Sequence, residues 1–158
     1  MAKHFKLTSE TKVNFMGVTL YRIECVLDCK WAKVGEKGGW IEKEDNLSDN
    51  AWVSGDAEVS GDARVYGDAW VYGNAEVYGD AEVYGDADYC CFQSFGRANR
   101  TTTVFKERGG SLRVRCGCFD GDLNEFAEAV DKTHGDSKYG KEYRAMIELI
   151  KVRFGVKE

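Results

Sequence analysis

Between residues 51 and 86 the chain repeats one six-residue pattern: AWVSGD, AEVSGD, ARVYGD, AWVYGN, AEVYGD, AEVYGD. Alanine and valine hold the first and third positions of each hexad, and polar or aromatic residues hold the second and fourth. A period of two in extended chain puts alanine and valine on one side. Gly-Asp or Gly-Asn then supplies a tight corner, because both residue types tolerate positive φ. A short strand and a corner every six residues predicts a coil in which each copy stacks on earlier ones. Looser copies flank the regular ones: Ile41 and Leu47 stand upstream and Tyr89 downstream in the valine register. The coil is therefore expected over 39–92, as nine hexads, with 1–38 and 93–158 as separate segments at its ends.

The two flanks follow other rules. In 1–38, "KVNF" and "VTLYRIECVL" read as strands joined by a turn at Met16 and Gly17, a hairpin that leads into the coil. In 93–158, "TTTVFKE" and "LRVRCGCF" read as a second hairpin turning at "RGGS". Asp122, with Glu125 three residues on, predicts a capped helix with an apolar stripe of Leu123, Phe126, Ala127 and Val130, ending at Gly135. A second helix from about Ser137 is expected to bury Tyr139, Tyr143, Met146, Ile147, Ile150 and Phe154. These stripes read as core, not as a cofactor site. The tail is thus a ββαα module and the whole chain mainly β.

The hexads resemble the hexapeptide-repeat family. That resemblance implies a left-handed parallel β-helix with three strands and eighteen residues per turn, so about three turns here. Residues i and i+18 would then stack ~4.8 Å apart. Trp52 would lie under Trp70 and Ser54 under Tyr72. Arg64 would lie under Glu82 and Tyr66 under Tyr84, while Glu58 and Glu76 form a repulsive column with Ser60 under Tyr78. Family members commonly pack as trimers through such faces, so the resemblance implies a homotrimer with Trp52, Trp70, Tyr72, Tyr66 and Tyr84 at the interface. The plainer account is that tyrosine suits strands. "GEKGGWIEKEDNLS" running into Gly-Asp repeats, over roughly residues 5–90, is similar to small hexapeptide-repeat proteins of bacteriophages and prophages. The tail is similar to a phage-borne C-terminal module. Acyltransferases of the family use a histidine base, but His4 and His134 both lie outside the repeat. His134 is expected to meet the carbonyls that end the first helix.

Composition changes this picture in two places. The net charge of −5 is unevenly spread. Residues 1–50 balance, 51–92 carry one basic and nine acidic side chains, and 93–158 carry thirteen basic and ten acidic ones. The second place is the cysteines, Cys25, Cys29, Cys90, Cys91, Cys116 and Cys118. Neither Cys-x3-Cys nor Cys-x-Cys has a matching second half, so reduced buried thiols are expected in place of zinc or a disulfide framework. No apolar run reaches membrane-spanning length and the start lacks a signal peptide's apolar stretch, so a bacterial host cytoplasm is the expected location and no membrane partner is expected.

Candidate chemistry concentrates in 97–115, which holds six basic residues and one acid, Glu107. Arg97, Arg100, Arg113 and Arg115, with the hydroxyls of Thr101, Thr102 and Thr103, form a set suited to phosphate oxygens. The competing account is a solvated strand face balanced by the acidic coil. No nucleic-acid-reading motif accompanies the set, so a small phosphorylated ligand or a protein is favoured over a long nucleic acid. No catalytic constellation, metal set or cofactor motif is evident. Three functions remain. The first is a phage-encoded, non-catalytic binder that antagonises a bacterial defence, by sequestering a nucleotide signal or by blocking a defence protein. The second is a structural or oligomerisation module, and the third a divergent hexapeptide-repeat acyltransferase.

Overall fold

The computed structural model describes residues 3–85, 88–96, 100–117 and 119–156. The chain divides into two compact units, Met1–Asp86 and Ala87–Glu158. It is mainly β, with two helices at its C-terminal end. No helix among the described residues is long and apolar enough to cross a membrane.

The first unit begins with a hairpin whose first strand runs earlier than the expected "KVNF", with Asn14 and Phe15 in the turn. Strands β1 (Phe5–Val13) and β2 (Thr19–Cys25) pair antiparallel. Asn14 sets the turn: its side-chain oxygen accepts hydrogen bonds from the Met16 and Val18 N–H groups, at 2.9 and 3.0 Å. β2 pairs antiparallel with β3 (Lys37–Ile41), and from β3 onward the pairing turns parallel.

A 3₁₀ turn at Glu44–Asn46 follows, and then six two-residue strands, one for each hexad. They are β4 (Trp52–Val53), β5 (Glu58–Val59), β6 (Arg64–Val65), β7 (Trp70–Val71), β8 (Glu76–Val77) and β9 (Glu82–Val83). Every parallel pair is offset by eighteen residues: Trp40 with Glu58, Leu47 with Val65, Trp52 with Trp70, Glu58 with Glu76, Arg64 with Glu82. Ile41, Leu47 and all six repeat valines are buried, as are the repeat alanines. Corner glycines 55, 61, 67, 73 and 79 have φ between 63° and 69°, and Asp49 takes φ 55° where the irregular second copy has no glycine. Packing thus follows the two-residue alternation read from the sequence.

The coil register ends sooner than expected. Tyr89, expected in the valine register, instead pairs antiparallel with Phe105. "YCCFQSF" has no Gly-Asp corner to turn it, so it runs on as a seven-residue strand, β10 (Tyr89–Phe95). The boundary drawn at 92/93 falls inside this strand, and the one at 38/39 falls inside β3.

In the second unit β10 is joined by β11 (Arg100–Lys106), β12 (Leu112–Cys116) and β13 (Phe119–Gly121) in an antiparallel meander. The module is therefore ββββαα and not ββαα. Its edge strands escaped the sequence reading because one resembles a repeat copy and the other is only three residues long. Helix α1 (Leu123–His134) carries the expected capping box, in which the Glu125 N–H donates to Asp122 Oδ1 at 2.8 Å and the Asp122 N–H to Glu125 Oε1 at 3.0 Å. Helix α2 (Lys138–Phe154) starts from a Ser137 cap. Val104, Val114, Cys116, Phe126, Val130, Tyr143, Met146, Ile147 and Ile150 form the core between sheet and helices. Tyr139 and Phe154, expected in that core, are only half-buried.

Candidate functional site

Strand alternation decides the fate of the phosphate-binding set. On β11, Thr102 turns toward the helices and is fully buried, where its hydroxyl donates to Cys116 Sγ at 3.1 Å. Thr103 points to the opposite face, is also buried, and lies 3.8 Å from Cys91 Sγ. Thr101 is half-buried and Arg100, the first residue of the strand, is exposed. Thr103 and Arg115 are brought together as cross-strand partners, but Arg115 is only 8% exposed. Arg113 is held in bidentate fashion by Asp120, with Nε–Oδ1 at 2.7 Å and the second arm at 2.9 Å, and Glu107 stands 3.7 Å away. Arg97 and Cys118 lie outside the described residues. The hydroxyl run therefore does not converge on the arginines as a single cradle. Asp120 was missed because it follows the basic stretch and returns to Arg113 only through β13.

Tyr143 joins the two structural threads of this unit. Its hydroxyl lies 3.6 Å from Cys116 Sγ, and the His134 ring stacks on it at 5.5 Å between centroids. Burial and the Cys116 contact push its phenol well above the usual tyrosine range. A side chain at Gly96, where φ is 79°, would collide with that hydroxyl. Burial likewise pushes the Cys90 thiol up to about 11. Among the described residues no three His, Cys, Asp or Glu side chains gather as a metal group. Among the described residues Cys25, Cys29, Cys90, Cys91 and Cys116 are free thiols.

The coil's outward columns are treated unequally by the N-terminal segment. Trp52, expected at an oligomer interface, is 2% exposed within the chain itself. His4 packs 6.0 Å from its ring and bonds through Nε2 to the Ala51 carbonyl at 2.7 Å. Trp70 is covered by Trp31, stacked at 4.8 Å with planes 18° apart. The Trp31 indole N–H donates to the Asp68 carbonyl at 2.9 Å, and that of Trp70 to Ser54 Oγ, also at 2.9 Å. Tyr72 tilts against Trp70 at 4.6 Å and stays half-exposed. A lone tryptophan in the loop "LDCKWAKV" gave no hint of this partner.

The glutamate column is met by side chains from β1 and β2, which extend the sheet of β3, β5 and β8. Lys12 reaches Glu58 at 2.9 Å and lies 4.8 Å over the Trp40 ring, with Arg22 at 5.5 Å from the same ring. The repulsion expected between Glu58 and Glu76 is thereby offset. Next along, Phe15 packs on Tyr78 at 5.5 Å.

The third face, carried by β6 and β9, is the most open. Tyr66 and Tyr84 meet edge to face at 5.0 Å, Tyr84 is 59% exposed and Arg64 is exposed beside them. No protein-family model matches this chain, and no curated protein matches it in sequence.

Proposed function

We propose that the chain is a non-catalytic binding protein of the phage or prophage kind, built on a short left-handed parallel β-helix, and that it acts by blocking a bacterial defence protein. The eighteen-residue parallel offset supports the β-helix, and the resemblance of "GEKGGWIEKEDNLS" and the hexads supports the setting. One observation favours a protein target over a nucleotide. Thr102, Thr103, Arg113 and Arg115 are buried or engaged within their own unit, whereas the Tyr66–Tyr84 face of the coil presents aromatic surface outward.

The test is phage plating on a defended host that expresses the protein. Tyr84→Glu should abolish protection of the phage, and Arg100→Ala with Arg113→Ala should leave it intact. The opposite pattern, or a nucleotide released from the denatured wild-type protein in a native mass spectrum, would return the reading to signal sequestration.

A further inference from the structure

We infer that the β6/β9 face takes an arginine-bearing segment of a basic protein partner, an inference that rests on the binding reading above. The first support is the chemistry that the molecule sets against its other faces. On β3 and β5, an outward aromatic ring and a carboxylate, Trp40 and Glu58, are both met by the cation of Lys12 from β1, a strand of the same sheet. At the loop over Trp70, Lys30 lies 4.9 Å over Trp31 and 3.8 Å from Asp68. Aromatic surface and carboxylate are thus twice met by a basic side chain.

The open face offers the same two groups. Its floor is the Tyr66–Tyr84 pair. One rim is Asp62 and Asp80, which precede β6 and β9, and the other is Asp49 and Asp68; all four are exposed. Asp62 and Asp80, eighteen residues apart, stack ~4.8 Å apart, so like charge accumulates along that rim, while Asp49 accepts a hydrogen bond from the Gly67 N–H at 2.9 Å. Lys43 meets Asp62 at 3.2 Å and Lys30 meets Asp68, while Asp80 has no ion pair among the described residues. Arg64 is the single basic residue of 51–92, against nine acids. Arg64 stands on this face opposite Glu82, so the negative charge lies at the rims, and a basic segment is attracted there. Arginine suits it better than lysine, because a planar guanidinium stacks on tyrosine and spans a carboxylate with two hydrogen bonds.

The experiment uses the full chain and fluorescein-labelled nine-residue peptides of alternating arginine and threonine, or lysine and threonine, read by anisotropy at low salt. The arginine peptide should bind about threefold or more tighter than the lysine one. Tyr84→Ala should weaken it about fivefold. Asp80→Asn should weaken it more than Asp136→Asn, the same charge change on an exposed residue of the second unit. Equal binding of both peptides, or unchanged binding by Tyr84→Ala, would leave only general attraction of opposite charge and overturn the inference. So would a wild-type oligomer that Tyr84→Glu dissociates, since a second copy would then own the face. If Tyr84→Glu loses protection in plating while Tyr84→Ala binds the peptide normally, the inference fails and the binding reading stands. If plating is unaffected, the binding reading fails whatever the peptides do.

Discussion

Neighbouring residues in one hexad have opposite fates. Val65 is fully buried and Arg64 is exposed. Val65→Asp should therefore cost more than ~3 kcal/mol, since an unpaired carboxylate enters an apolar interior. Arg64→Asp should leave the thermal midpoint within a degree or two. The comparison needs only two melting curves, and the reverse ranking would mean the wrong side faces in. Cys90 carries a second residue-scale prediction. Its thiol is raised from the ordinary 9.0 to about 11, so the folded chain holds this proton more tightly than the unfolded chain. The resulting stabilisation is complete below pH 9 and is lost as pH rises to about 11. Tyr143, also raised, has the same sign above pH 10. Denaturant midpoints should fall across pH 9–11, and Cys90→Ala should flatten that fall.

The elements differ in how much of their stability is local. Helix α1 has its signal in four consecutive letters, since Asp122 and Glu125 exchange both hydrogen bonds. Asp122→Ala should cost about 1 kcal/mol, visible as a lower urea midpoint without loss of fold. The coil strands have two residues each and cannot stand alone. They persist because each is paired eighteen residues away and because side chains of the N-terminal segment meet two columns. Trp31→Ala removes the stacked cover from Trp70 and should cost about 1 kcal/mol or more. Trp70 fluorescence should shift to the red as the ring meets water. An unchanged emission maximum would mean that Trp31 is not the cover.

Across the whole molecule, charge and surface are divided between segments: a balanced N-terminus, an acidic coil and a basic tail. Of the interface residues that the resemblance implied for a homotrimer, Trp52 is interior and Trp70 is stacked against Trp31, while Tyr72 stays half-exposed. A trimer and a basic partner now compete for the Tyr66–Tyr84 face. Sedimentation velocity at micromolar concentration should show a monomer, leaving that face open. The sequence alone determined the inward valines, the corner positions and the capped helix, because each follows from local spacing, while the eighteen-residue stacking was implied by the resemblance to hexapeptide repeats and is the offset of the parallel pairs. The sequence could not determine which outward residues remain outward. That depended on His4, Lys12, Phe15 and Trp31, which meet Trp52, Glu58, Tyr78 and Trp70 across long stretches of chain. It depended equally on Asp120, which returns through a three-residue strand to occupy Arg113. Local periodicity sets the direction in which a side chain leaves the backbone. What then meets that side chain is decided only when distant segments pack.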